Sequence, residues 1–100
     1  MRPEIQNIVQ LGPLPSEDDA TVELLQKYEA AYRAIARPVT DEEAIALVGL
    51  FGLDGCFGFS SSLMHLIETA PSWPIKDCLS NTNNSWILEM RNRAIRGGLL

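Results

Sequence analysis

The stretch from Gly49 to Pro71 constrains the fold of this chain more than any other. It holds four of the seven glycines, all three phenylalanines, one of the two cysteines and the only histidine. Only Asp54, His65 and Glu68 within it carry charge readily, so most of its side chains are expected in the core. Closely spaced glycines between two apolar runs predict two helices that meet at a corner, the second being the most buried element.

The first of these two helices has a clear start signal. Thr40, followed three residues later by Glu43, forms a capping box in which Thr40 caps the helix and Glu43 reaches back to it. The apolar run at 44–51 carries no charge, which predicts a largely buried helix. Gly52 is expected to close this helix in a left-handed conformation, which only glycine adopts without strain.

The second helix follows the corner directly. Asp54 is its expected N-cap, and the helix runs from Cys56 or Phe57, both placed beside the buried face, to Ala70. Pro71 ends it, because the residue before a proline avoids the helical region.

The longest helix is predicted upstream of this pair. Ser16 with Asp19 resembles a second capping box and marks its start. Apolar residues from Val22 to Ile35 recur at spacings of three and four, which is typical of an amphipathic helix. The helix is expected to stop before Pro38.

Two further segments complete the fold prediction. Residues 2–11 have one apolar side and predict a short helix. A last helix is expected with Asn84 or Ser85 as its cap and Gly97-Gly98 as its end, and its inner side consists of Trp86, Ile87, Met90, Ala94 and Ile95. No alternating run of strand length occurs in the sequence. The expected fold is therefore all-α, a single domain over residues 1–100 consisting of a compact bundle of four helices with a possible short fifth at the N-terminus.

The net charge of −5 is unevenly distributed. Residues 1–54 carry ten acidic and four basic residues, a net charge of −6, whereas residues 55–100 carry three acidic and four basic residues, a net charge of +1. An acidic surface repels phosphate backbones, so nucleic acid is not an expected partner. It attracts basic proteins instead, although acids that only keep a small protein soluble explain the same composition.

If a partner binds through charge, the acids of the N-terminal half are the candidates. We expect the partner-binding residues to be Glu17, Asp18, Asp19, Glu23, Asp41, Glu42 and Asp54. Trp73 lies between two turn-forming residues in a polar loop and is the candidate apolar anchor of the same surface. The alternative is that Trp73 covers one end of the core.

The sequence also bears on location. No segment approaches the roughly 18 to 20 apolar residues that a membrane span needs, and no secretion signal is recognised. We therefore expect a cytoplasmic protein without membrane association, in which Cys56 and Cys78 are reduced thiols.

The sequence supports a catalytic or metal-binding site less well than it supports a protein-binding surface. His65 and Glu68 are three residues apart and form a possible polar site, but a metal ion needs three or four ligands and the chain has no second histidine. Along one continuous helix, Cys56 would lie about 13 Å from His65, too far for direct pairing. No catalytic residue, metal or cofactor is predicted. A small enzyme or ligand-binding domain using His65, Glu68 and a cysteine remains an alternative, as does a self-associating helical module.

A resemblance to a known family points to the same class of protein as the charge distribution does, a protein that binds a basic protein partner. The runs DEEAIALVGLFGLDGCFGF at 41–59 and LMHLIETAPSWP at 63–74 resemble small helical bacterial proteins that are encoded with contact- or secretion-delivered toxins. Those are immunity proteins, which bind a toxin and block its active site. The resemblance covers about a third of the chain and implies a non-enzymatic immunity protein, a monomer or homodimer, that neutralises a cognate and basic toxin domain.

Overall fold

The computed structural model describes residues 1–52, 54–75, 79–80 and 83–99. Within these ranges the chain is all-helical, with no strand, and the fold prediction is confirmed. Leu53, Cys78 and Asp77 lie outside the described residues. The helices are α1 Pro3–Gln10, α2 Val22–Arg33, α3 Asp41–Val48, α4 Phe59–Ile67 and α5 Ser85–Arg96, with a short 3₁₀ turn at Cys56–Gly58 before α4.

The helices pack around one continuous apolar core. The predicted short helix α1 contacts both α2 and α3, α3 packs on α4, and α4 contacts α5. The fully buried side chains come from every part of the bundle: Ile5, Ile8, Tyr28, Val39, Leu47, Cys56, Leu63, Leu66, Ile67, Leu79 and Met90. No helix among the described residues is both long enough and apolar enough to cross a bilayer.

The predicted capping box at the start of α3 is confirmed. Thr40 Oγ1 accepts the Glu43 backbone N–H at 3.2 Å, and Glu43 Oε1 accepts the Thr40 backbone N–H at 2.8 Å. The Glu43 side chain is fully buried. Its charge is compensated there, because both carboxylate oxygens also accept hydrogen bonds from Arg2. The Arg2 Nε and Nη2 atoms each lie 3.0 Å from a Glu43 oxygen. This second role of Glu43 ties the N-terminus to α3 and was not predicted.

The predicted start of the long helix is wrong. Ser16 and Asp19 do bond to each other, but they close an isolated turn, and the helix begins only at Val22. Thr21 is the N-cap, and its hydroxyl accepts the Leu24 backbone N–H at 3.1 Å. Ser16 and Thr21, five positions apart, are both residue types that cap helices. The backbone of Thr21 is extended, at φ −103° and ψ 156°, so the turn that begins at Ser16 does not continue into α2.

The predicted role of Gly52 is also wrong. Helix α3 ends at Val48, with Gly49 as its C-cap in a right-handed conformation. Gly52 is needed for close approach instead, since a Cβ atom there would collide with the Leu14 carbonyl oxygen. The Leu14 backbone N–H donates to the Leu50 carbonyl at 2.9 Å, which holds the two segments together.

The connection between α3 and α4 is longer than predicted, because α3 ends at Val48 and α4 begins only at Phe59. Asp54 is not the N-cap of α4, because the 3₁₀ turn Cys56–Gly58 intervenes and Gly58, at φ 89°, occupies the N-cap position. Gly55 is the N-cap of the 3₁₀ turn, and Asp54 Oδ1 accepts the backbone N–H of Cys56, its first residue, at 2.9 Å. Helix α4 ends at Ile67, and the chain turns at 68–70 before Pro71.

Helices α4 and α5 run side by side in the same direction. Asn84 caps α5 as predicted, accepting the backbone N–H groups of Trp86 and Ile87 at 2.9 and 3.2 Å. Trp86 at the start of α5 donates from Nε1 to the Asp54 carbonyl before α4, at 3.1 Å. Arg93, late in α5, binds Glu68 just after α4.

Four apolar residues predicted to face the core are exposed instead. Ile45 and Ile95 each follow a buried alanine, which places them about 100° around the helix from the core side. Val22 is the first residue of α2, ahead of the part of the helix that packs. Phe57 is exposed because its left-handed backbone, at φ 54°, breaks the helical path between Cys56 and α4.

Candidate protein-binding surface

Two of the predicted acidic segments meet in space. The Glu17 backbone N–H donates to Asp54 Oδ2 at 3.0 Å, although the two residues are 37 positions apart in the chain. Asp18 and Asp19 follow in the same turn and are exposed, as is Glu17. We call this group of four, Glu17, Asp18, Asp19 and Asp54, the acidic corner.

Asp54 holds the acidic corner together. Its carboxylate accepts the backbone N–H groups of Cys56 and Glu17 at 2.9 and 3.0 Å. Its backbone carbonyl accepts Ser60 Oγ and Trp86 Nε1 at 3.0 and 3.1 Å. Both α4 and α5 begin at this end of the bundle, and the positive ends of their dipoles favour carboxylates there.

The structure does not bring all the predicted acids together. Asp41 and Glu42 lie in the first turn of α3, whose eight residues span about 12 Å, while the acidic corner lies beyond the other end of that helix. Asp41 Oδ1 accepts the Ser72 backbone N–H at 3.0 Å, and hydrogen bonding by the Ser72 side chain, followed by this backbone bond, lowers the pKa of Asp41. Glu23 is exposed in the first turn of α2. Six of the seven predicted acids therefore form two separate groups, the acidic corner and the pair Asp41 and Glu42, and Glu23 is the seventh.

The arginines of the described chain neutralise other acids. Four Arg–carboxylate ion pairs occur among the described residues, and their acids are Glu29, Glu43, Glu68 and Glu89. None of the seven predicted partner-binding acids forms an ion pair with a described residue. Their negative charge therefore remains available at the surface.

His65 and Glu68 lie close together, but Arg93 is the stronger partner of Glu68. His65 Nδ1 is 3.7 Å from Glu68 Oε1, whereas Arg93 Nε and Nη2 lie 3.1 and 3.0 Å from the two Glu68 oxygens. This bidentate pair links the C-terminal ends of α4 and α5. This pair was not predicted, because nothing local in the sequence links Arg93 with a residue 25 positions away.

Cys56 is placed where a thiol is unreactive. It is fully buried, and burial, followed by the charges of Asp54 and Glu17, raises the pKa of its thiol. A raised pKa leaves less of the nucleophilic thiolate at neutral pH. Cys78, the other candidate, lies outside the described residues. Over the described ranges, no group of three or more histidine, cysteine or acidic residues is arranged to hold a metal ion.

Trp73 lies at the opposite end of α4 and α5 from the acidic corner. It is half-buried, packs against the core and lines an open cavity of about 440 Å³ together with Glu68, Arg93, Ala94, Arg96 and Leu99. It therefore does not share a surface with Asp54. Near the acidic corner, Trp86 is half-buried, whereas Phe57, which the sequence placed beside the buried face, is exposed.

No protein-family model, curated protein or solved structure matches the chain. We therefore infer function from the chemistry of the surface itself. That surface is defined by carboxylates without arginine partners among the described residues, together with a rigid corner.

Proposed function

We propose that this protein is a non-enzymatic protein-binding domain whose acidic corner binds a basic partner. One observation carries the proposal: the four Arg–carboxylate pairs in the described chain leave the carboxylates of the acidic corner without ionic partners. Carboxylates of one sign on one surface speed the encounter with a basic protein and favour it over acidic competitors. Glu23 is expected to add to this field from the first turn of α2.

The finer proposal is that the partner is a toxin and that this protein is the cognate bacterial immunity protein. The resemblance of residues 41–74 to immunity proteins supports this reading. A nuclease toxin has a basic active site that binds phosphates, and surface carboxylates would occupy the same cationic groups. Blocking such a site needs binding but no catalytic residue.

The direct test uses the product of the gene next to the one that encodes this protein. We expect the two proteins to form a complex whose affinity falls steeply as salt is raised, because exposed charges are screened. Asp18→Lys combined with Glu23→Lys should weaken the complex by about tenfold or more. Both side chains are free of hydrogen bonds to described residues, so the changes leave the fold intact.

A matched control separates the acidic corner from the net charge. Glu29→Lys combined with Glu89→Lys alters the net charge equally, but at carboxylates that already have arginine partners. The proposal expects this control to weaken binding far less. A complex that is insensitive to salt, or equally weakened by both double variants, would contradict it.

A further inference from the structure

Phe57 is the exposed aromatic residue of the acidic corner, with 64% of its surface accessible. The other two phenylalanines pack against aromatic rings. Phe59 makes edge contacts with Tyr28 and Tyr32 at centroid distances of 6.3 and 5.9 Å, and Phe51 stacks on Trp86 at 6.2 Å. Among the described residues, Phe57 has no such ring contact.

The backbone that presents Phe57 is fixed from both sides. Asp54 accepts the Cys56 N–H, and the Gly55 carbonyl accepts the N–H groups of Gly58 and Ser60 at 3.0 and 3.2 Å. Phe57 itself has a left-handed backbone at φ 54°, which is unfavourable for a residue with a Cβ atom. A Cβ atom added at the next residue, Gly58, would meet nothing within 4 Å, so the space around that position is open.

Two acidic residues lie next to the backbone segment that carries Phe57. Asp54 bonds to the residue immediately before Phe57, and Glu17 is bonded to Asp54 in turn. Both charges reach that residue, since each of them raises the pKa of the Cys56 thiol. An exposed aromatic ring on a segment that is bonded to a carboxylate resembles a binding hot spot, in which an aromatic anchor is desolvated and polar groups surround it.

We infer that Phe57 is the apolar anchor of the acidic corner and enters an apolar pocket rimmed by lysine or arginine on a basic protein partner. This inference rests on the proposed function and replaces Trp73 as the anchor. Charge complementarity selects the occupant, because the corresponding face of a second copy would bring two sets of carboxylates together. A ring held on a rigid turn also loses little conformational entropy on binding.

The key variant is Phe57→Gly, which removes the ring and places glycine where glycine is favoured. Since glycine adopts a φ of 54° without strain, the melting temperature should stay the same or rise. If the Phe57 side chain stabilised the fold, its removal would lower the melting temperature. A fall in melting temperature of more than about 5 °C would therefore overturn the inference.

Binding is tested with a phage-displayed library of random short peptides selected on the wild-type protein. We expect enriched peptides in which lysine or arginine flanks aliphatic or aromatic residues. They should bind the wild type about tenfold or more tightly than Phe57→Gly. Ile95→Ala, which truncates an apolar residue that is 50% exposed on α5, is the matched control and should bind as the wild type does.

The outcomes distinguish this inference from the proposed function. Basic, salt-sensitive peptides that bind Phe57→Gly as well as the wild type would overturn the anchor and leave the acidic corner intact. Peptides lost with Phe57→Gly but unaffected by salt and by Asp18→Lys with Glu23→Lys would overturn the electrostatic function and leave the anchor. If no peptide is enriched, or if both the Phe57→Gly and Ile95→Ala variants lose binding equally, the inference fails.

Discussion

The hydroxyl of Tyr28 lies among three consecutive backbone carbonyls. It is 3.0, 2.6 and 2.9 Å from the oxygens of Leu11, Gly12 and Pro13, and the side chain is fully buried. These carbonyls follow the end of α1, where the helix leaves acceptors unsatisfied. Tyr28 thus fixes the connection from α1 to the segment containing Leu14, which packs closely against Gly52.

We predict that Tyr28→Phe destabilises the protein by about 1 to 3 kcal/mol, because the part-buried carbonyls lose the hydroxyl that donates to them. Urea denaturation followed by circular dichroism would measure the change. Tyr32→Phe is the matched control, since the Tyr32 hydroxyl contacts the exposed Arg37 side chain and the loss there should be smaller. Equal losses in the two variants would show that the three carbonyls find water when the hydroxyl is removed.

A second prediction at the residue scale concerns the Cys56 thiol. Because burial and two nearby carboxylates raise its pKa, less thiolate is present at any given pH than for a free cysteine. In a Cys78→Ser background, labelling of the folded protein with a disulfide reagent should be slow, and its rate should still be rising above pH 9. Rapid labelling at neutral pH would revive the alternative of an enzyme that uses this thiol.

At the scale of elements, the contact between α1 and α3 depends on the Arg2–Glu43 pair. The Arg2 guanidinium and the hydrogen bonds from Arg2 and Thr40 lower the pKa of Glu43 from 4.5 to about 2. A carboxyl group whose pKa is lowered in the folded state stabilises the fold above its unfolded pKa. That stability is lost as the pH falls through the window from about 4.5 to 2.

We therefore predict that Glu43→Gln costs about 2 to 3 kcal/mol at pH 7 and removes much of the loss of stability between pH 5 and pH 2. Urea denaturation at several pH values would test this. Glu42→Gln is the control, since the neighbouring Glu42 is exposed in the same turn and its replacement should leave the pH profile unchanged. If the free energy of unfolding changed with pH in the same way for wild type and Glu43→Gln, Glu43 would not be the source of the acid-induced loss of stability.

The elements also show which features a sequence can predict. The caps at Thr40 and Asn84 were predicted because each depends on residues within three positions. The start of α2 was wrong because two local caps compete, and only tertiary packing decides between them. The pairs Arg2–Glu43 and Arg93–Glu68 join residues 41 and 25 positions apart, and no local pattern encodes them.

The same limit applies to the candidate surface. Its acids were identified from charge alone, but their division into two groups depends on the length of α3 and on the bond between Glu17 and Asp54. Phe57 was placed beside the core because an apolar residue in an apolar run gives no sign of exposure. Its left-handed backbone follows from the closure of the corner, not from its own side chain.

At the scale of the whole molecule, the acidic corner is expected to reduce stability. Its carboxylates belong to three consecutive residues and to Asp54, which is bonded to Glu17, and they have no ionic partner among the described residues. Like charges held together destabilise the folded state, a cost that binding surfaces often carry. The protein should therefore become more stable as salt screens this repulsion.

We predict that Glu17→Gln combined with Asp18→Asn stabilises the protein by about 0.5 kcal/mol at low salt, with the gain disappearing at about 1 M salt. Urea denaturation at the two salt concentrations would measure it. The control, Glu29→Gln with Glu89→Gln, removes the same charge from ion pairs and should give no gain. If the first double variant is instead destabilised, these carboxylates serve the fold, and the proposal that they are retained for a basic partner loses its support.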